Sequence, residues 1–116
     1  MDLADLGAAV RSFHRVLKDG GIAVCVFSRP MGSQLSQEEN YFDEVKKTSR
    51  WGRFDSEFIC FHRALSTYWK VFREVGFLIE DFDEPVPQDP NVDGFNQEWK
   101  LNYRRRPWSV AFRLKK

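Results

Sequence analysis

The stretch Phe13–Pro30, FHRVLKDGGIAVCVFSRP, passes from the last turns of an amphipathic helix through two glycines into an apolar strand. Gly20 suits the left-handed position that ends a helix, because it has no Cβ to clash there. Gly21 lets the chain reverse at once into Ile22-Ala23-Val24-Cys25-Val26-Phe27. Six apolar residues without alternation predict a strand covered on both faces, the pattern of parallel α/β sheets. A helix packed on the sheet it feeds is one repeat of a doubly wound fold, so the chain reads as α/β.

Upstream, Leu3, Leu6, Val10, Phe13 and Leu17 fall at three- and four-residue steps and line one helical face. Asp2 is placed to cap that helix, Asp5 adds negative charge near its start, and Arg11, His14, Arg15 and Lys18 crowd its other end, as the helix dipole favours. His14 reads as a solvated cation of that end. Downstream, Ser28-Arg29-Pro30-Met31-Gly32-Ser33 is a turn-rich exit from the strand. Open α/β sheets place ligands at the carboxyl ends of their strands, so this loop is a candidate site wall.

Ser36–Lys47 is expected as a short helix capped by Ser36, with Tyr41, Phe42 and Val45 on one face. Trp51-Gly52-Arg53-Phe54 reads as a turn, and Phe58–Phe61 as a strand. Ser66 is expected to cap a second helix that runs to Val75 and stops at Gly76. Phe77-Leu78-Ile79 then enters a strand that fades into the acidic run Glu80–Glu84. Pro85–Gly94 is an irregular loop, Phe95–Tyr103 a short helix or ordered loop, and Trp108–Leu114 a final strand.

The 116 residues suit one domain, smaller than a complete doubly wound enzyme. Eighteen basic against seventeen acidic side chains give a net charge of +1, which supplies no general pull toward nucleic acid or anionic membrane. Aromatic residues make up 16% of the chain, enough to suggest apolar surface meant for a partner or ligand. Cys25 and Cys60 both sit in apolar runs and read as reduced core thiols of an intracellular protein. No run reaches membrane-spanning length and the N-terminus is acidic, so the expected location is the cytoplasm.

Arg15-Val16-Leu17-Lys18-Asp19-Gly20-Gly21 resembles the RVLKPGG signature before the fifth strand of class I S-adenosylmethionine-dependent methyltransferases, with Asp19 in place of proline. Phe61-His62-Arg63-Ala64-Leu65-Ser66, together with Val75-Gly76-Phe77 further on, is similar to the HR-x-L-S…GF region of small-molecule members, and Arg106-Pro107-Trp108 continues the match. The resemblance covers nearly the whole chain but only the C-terminal half of the family. It implies a partial doubly wound, Rossmann-like sheet of about three main strands with two main helices. These would be the fifth, sixth and seventh strands, the last inserted antiparallel between the other two. It also implies that residues 31–60 form an acceptor-side insertion within a single truncated domain, 1–116.

Members of that family bind S-adenosylmethionine with a glycine-rich turn after their first strand and an acidic residue ending the second. There is no G-x-G in this chain, so the cofactor is implied by resemblance only, and the chain is expected to be inactive alone. What remains corresponds to the side that holds a small-molecule acceptor. His62 could take a proton from a hydroxyl or amine. Arg63 or Arg29 could hold a carboxylate through a bidentate pair. Tyr41 and Arg106 complete the candidate wall. The competing reading makes His62 and Arg63 structural, bonded to loop carbonyls or paired with Glu57 or Asp55.

Arg104-Arg105-Arg106 beside Trp99, Tyr103 and Trp108 could contact phosphates or bases, but neutralisation by Glu80–Glu84 is the preferred reading and nucleic acid the least favoured partner. Two histidines and two cysteines on different elements lack metal-ligand spacing. The strand Ile22–Phe27 would have an open edge in such a truncated sheet. Its expected cover is a second copy, giving a homodimer, or a partner chain carrying the N-terminal half. A non-enzymatic dimerisation or protein-binding module built on the fold remnant is the alternative function.

Overall fold

The computed structural model describes residues 3–28, 39–50, 57–85, 107 and 109–116. Along the chain these form α1 (Leu6–Val16), β1 (Ile22–Ser28), β2 (Val45–Arg50), β3 (Glu57–His62), α2 (Leu65–Val75), β4 (Leu78–Asp83) and β5 (Ser109–Lys115). The readings of Arg29 and the rest of the exit loop, the turn at 51–54, the loop beyond Pro85, the segment 95–103 and the arginine run 104–106 lie outside the described residues.

One sheet has the order β1-β5-β4, with β5 antiparallel to both neighbours. That is the arrangement the resemblance implies, the last strand lying between its two predecessors. The other sheet is the antiparallel hairpin β2-β3. Phe27, Val110, Phe112 and Leu114 present one face of the three-stranded sheet to Leu6 and Val10 of α1 and to Tyr68 and Phe72 of α2. Phe112 is the hub, with ring centroids of Phe82 at 5.0 Å, Phe72 at 5.1 Å and Phe27 at 6.1 Å. A fully buried Phe, Leu or Val contributes about 1.5–3 kcal/mol each, so this single layer of contacts holds the αβ unit together.

Both helices lie on the same face, which corrects the expectation of a doubly covered β1. Ala23, Cys25 and Phe27 turn toward the helices, while Val24 and Val26 on the other face are 65% and 61% exposed. An unbroken apolar run predicted two covers, and the described residues supply one.

Helix α1 starts one turn later than the spacing predicts. Asp5, not Asp2, is its cap, accepting from the Ala8 N–H at 2.7 Å. The carbonyls of Leu3 and Ala4 are bonded to Arg63 instead, which keeps that turn out of the helix. The helix ends at Val16 with an extended Leu17, so Gly20 does not terminate it. Gly20 takes its positive φ of 74° inside the turn between α1 and β1, closed by Gly21 N–H to Lys18 O at 2.8 Å. A Cβ on Gly21 would stand 2.8 Å from the same oxygen, so no side chain fits there. Gly76 does end α2 as expected, with φ 104° and Phe77 N–H bonded to Phe72 O at 3.0 Å.

The helix expected over 36–47 is contradicted in its described part. The Asn40 side chain accepts from Phe42 N–H and its carbonyl from Asp43 N–H, closing a turn, and Val45 opens β2. Asn favours such local turns over helix, and β3 offers the stretch a full register of pairing from Val45↔His62 to Arg50↔Glu57.

Candidate functional site

A polar cluster forms where β3 hands over to α2, next to the carboxyl end of β1. The link to β1 is Tyr68, whose ring stacks on Phe27 with centroids 4.6 Å apart. Three of the five residues singled out in the sequence meet here: Tyr41, His62 and Arg63. Arg29 and Arg106 lie outside the described residues. Glu44 and Tyr68 also join the cluster.

Arg63 is 6% exposed and spans three parts of the fold. Its two terminal nitrogens donate to Leu3 O at 2.9 Å and Ala4 O at 2.7 Å, and its Nε lies 3.4 Å from a Glu44 carboxylate oxygen. The guanidinium also lies close enough to the Tyr68 hydroxyl to favour its ionised form, and it sits over the Phe61 ring at 5.1 Å. The fork geometry of arginine suits this many-sided task, since its donors diverge in one plane. Its ion-pair partner is Glu44, whereas Glu57 pairs with Arg50 at 2.8 Å.

His62, 9% exposed, places Nε2 2.8 Å from the Tyr41 carbonyl oxygen. A carbonyl only accepts, so Nε2 carries the proton in this contact. Tyr41 contributes from its other end as well, since its hydroxyl accepts from the Leu65 N–H at 3.0 Å. That bond supplies the cap of α2 that the sequence assigned to Ser66. The N-cap position is Ala64, which has no side-chain bond to offer. Burial pushes the Tyr68 hydroxyl above the ordinary tyrosine range, and the neighbouring Arg63 opposes part of that shift. Among the described residues no buried polar side-chain atom lacks a partner.

The cluster is therefore a satisfied, rigid wall. Arg63 faces Leu3 O, Ala4 O and the Glu44 carboxylate, and the identity of these partners was not legible in the sequence. The Tyr68 hydroxyl gave no separate signal in the sequence. Glu44 carried none, because a hairpin rather than a helix delivers it. Neither cysteine forms a disulfide. Among the described residues no cluster has the makings of a metal site, and no helix is long and apolar enough to cross a membrane.

No family model and no curated protein matches the chain. Solved structures do. A candidate S-adenosylmethionine dependent methyltransferase from Listeria monocytogenes superposes with a TM-score of 0.75 at 21% identity, over 99% of this chain and 56% of that one. An S-adenosylmethionine dependent methyltransferase from Mesorhizobium loti gives 0.64 at 15% identity, over 99% and 57%. The chain thus has the fold of these methyltransferases, in the strand order of their C-terminal half. It spans little more than half the length of the structures it matches.

Proposed function

We propose that these 116 residues form the acceptor-binding part of an S-adenosylmethionine-dependent methyltransferase fold, one domain in which 31–60 is an acceptor-side insertion. On this reading methyl transfer needs a cofactor-binding part that the sequence does not contain. The observation that carries it is the β1-β5-β4 order with antiparallel β5, matched over 99% of this chain and 56% of its neighbour.

The described residues do not fit S-adenosylmethionine. A dinucleotide- or nucleoside-binding glycine turn comes after a strand, so that backbone N–H groups meet the ligand at the carboxyl edge of the sheet. Among the described residues the two glycines with positive φ, Gly20 and Gly76, lie where the chain enters β1 and β4, at the opposite edge. No step is therefore drawn through the cofactor.

On the acceptor side, Tyr41, His62 and Arg63 would form the fixed wall, with Arg29 and Arg106 as further contributors. His62 donates through Nε2, which leaves Nδ1 with the lone pair that could take a proton from a hydroxyl or amine acceptor. Arg63 would act by holding the segment before α1 against the hairpin. Titration calorimetry of the purified chain with S-adenosylmethionine tests the reading. We expect no binding. Saturable binding would overturn it, because a cofactor site would then exist without the glycine turn.

A further inference from the structure

A cleft of about 520 Å³ opens between α1 and α2, within the usual size of small-molecule sites. Both of its walls are helices of this chain. On α1 it is lined by Arg11, His14 and Arg15, which the helical repeat places on one side. On α2 it is lined by Val71, Glu74 and Val75 at the same spacing, and the two valines are packed against the core. This side of the helices is turned away from Leu6, Val10, Tyr68 and Phe72, the residues that meet the sheet. The cationic wall is arranged in advance. Glycine is disfavoured within a helix, yet Gly7 stands one turn before Arg11, and a Cβ there would lie 3.0 Å from Arg11 Nη1. The arginine thus lies back across a position kept bare for it. His14 is held by an edge-on contact with the Phe77 ring at 4.9 Å. Among the described residues Arg11, Arg15 and Glu74 form no ion pair. The helix dipole accounts for His14 and Arg15 in the last turn of α1, but not for Arg11 one turn earlier.

From this arrangement we infer that the cleft between α1 and α2 binds a small phosphate monoester. The three terminal oxygens of the phosphate match three donor groups lining one cleft, two guanidinium forks and an imidazole N–H. A carboxylate has too few oxygens to serve all three. Val71 and Val75 offer apolar surface to the organic part of the ester, and Glu74 can accept from a hydroxyl on it. Both arginines and Glu74 are exposed. Solvent screening therefore keeps each contact weak, and the expected Kd for inorganic phosphate is on the order of 1 mM. This site does not depend on the methyltransferase reading.

Amide shifts of the isotope-labelled chain, followed by nuclear magnetic resonance during titration with inorganic phosphate, phenyl phosphate and benzoate, test it. Sodium chloride at equal ionic strength is the control for screening. We expect saturable shifts along both walls of the cleft, with phenyl phosphate binding more tightly than inorganic phosphate. R11Q/R15Q should weaken phosphate binding about tenfold. E74Q should strengthen it about twofold, because a like charge is removed. G7A should weaken it about twofold although alanine favours the helix, because the new Cβ displaces Arg11. Arg11, Arg15 and Glu74 are exposed, so R11Q/R15Q and E74Q should keep the circular dichroism of the native chain. Shifts no larger than those in chloride would overturn the inference, and so would a phosphate affinity unchanged in R11Q/R15Q. Benzoate binding as tightly as phenyl phosphate would overturn the assignment to a phosphate ester.

Discussion

Replacing Arg63 by methionine removes the one side chain that, among the described residues, ties the segment before α1 to the end of β3, while keeping an aliphatic stem of similar length. Hydrogen bonds from a charged donor contribute roughly 1.5–3 kcal/mol each. Two such bonds are lost, to Leu3 O and Ala4 O. Both residues are exposed, so water can reach the freed carbonyls and the lower end of that range applies. The Glu44 pair adds little, since the carboxylate is more than half exposed and surface pairs contribute about 0–1 kcal/mol. The expected cost of R63M is about 2–4 kcal/mol, a large part of a typical domain stability of about 5–15 kcal/mol. Urea unfolding followed by tryptophan fluorescence should show the midpoint falling by roughly 1–2 M with the slope unchanged. R63K should recover less than half of the loss, because an ammonium cannot fork to two carbonyls, and E44Q should cost under about 1 kcal/mol. Midpoints for R63M and the native chain within about 0.3 M of each other would refute the clamp.

The same neighbourhood yields a test of the α2 cap. Y41F keeps the ring and removes only the hydroxyl that caps α2, so it should cost about 1 kcal/mol, the usual size of a lost cap. Amide exchange at Leu65 should quicken at the same time, and an unchanged rate would mean that water already does the capping. Stability should also fall in alkali. Tyr68 and Cys25 both have raised folded-state pKa values because of burial, so the folded protein holds these protons more tightly than the unfolded chain. Their contribution is complete below the unfolded values and is lost as pH climbs through about 9 for the thiol and about 10 for the phenol. Urea midpoints measured at rising pH should decline in that order, with C25S removing the first part of the decline. A midpoint that holds steady or rises through that window would contradict the burial argument.

Much of the fold is written in local signals. The periodicity of α1, the stop of α2 at Gly76, and the turn at Gly20-Gly21 before β1 place these elements along the chain. The order of motifs places β5 between its predecessors. Two of the misplacements share a cause, which is that a cap was read from its own segment when a distant residue decided it. Asp2 yielded to Asp5 because Arg63 holds the carbonyls of Leu3 and Ala4, some sixty positions away. Ser66 yielded to Tyr41, which caps α2 from across the hairpin turn. The segment 39–47 has acceptable helical spacing, but Asn40 closes a turn there and β3 pairs with Val45–Arg50.

The run Ile22–Phe27 is the most instructive misreading. Hydrophobicity on both faces of a strand records the environments the strand is built to occupy, whereas the described residues fill only one of them. Val24 and Val26, exposed beside an uncharged edge, therefore carry information that the packing of Phe27 and Phe112 does not. The cluster around Arg63 differs, since every described buried polar side-chain atom there already has a partner.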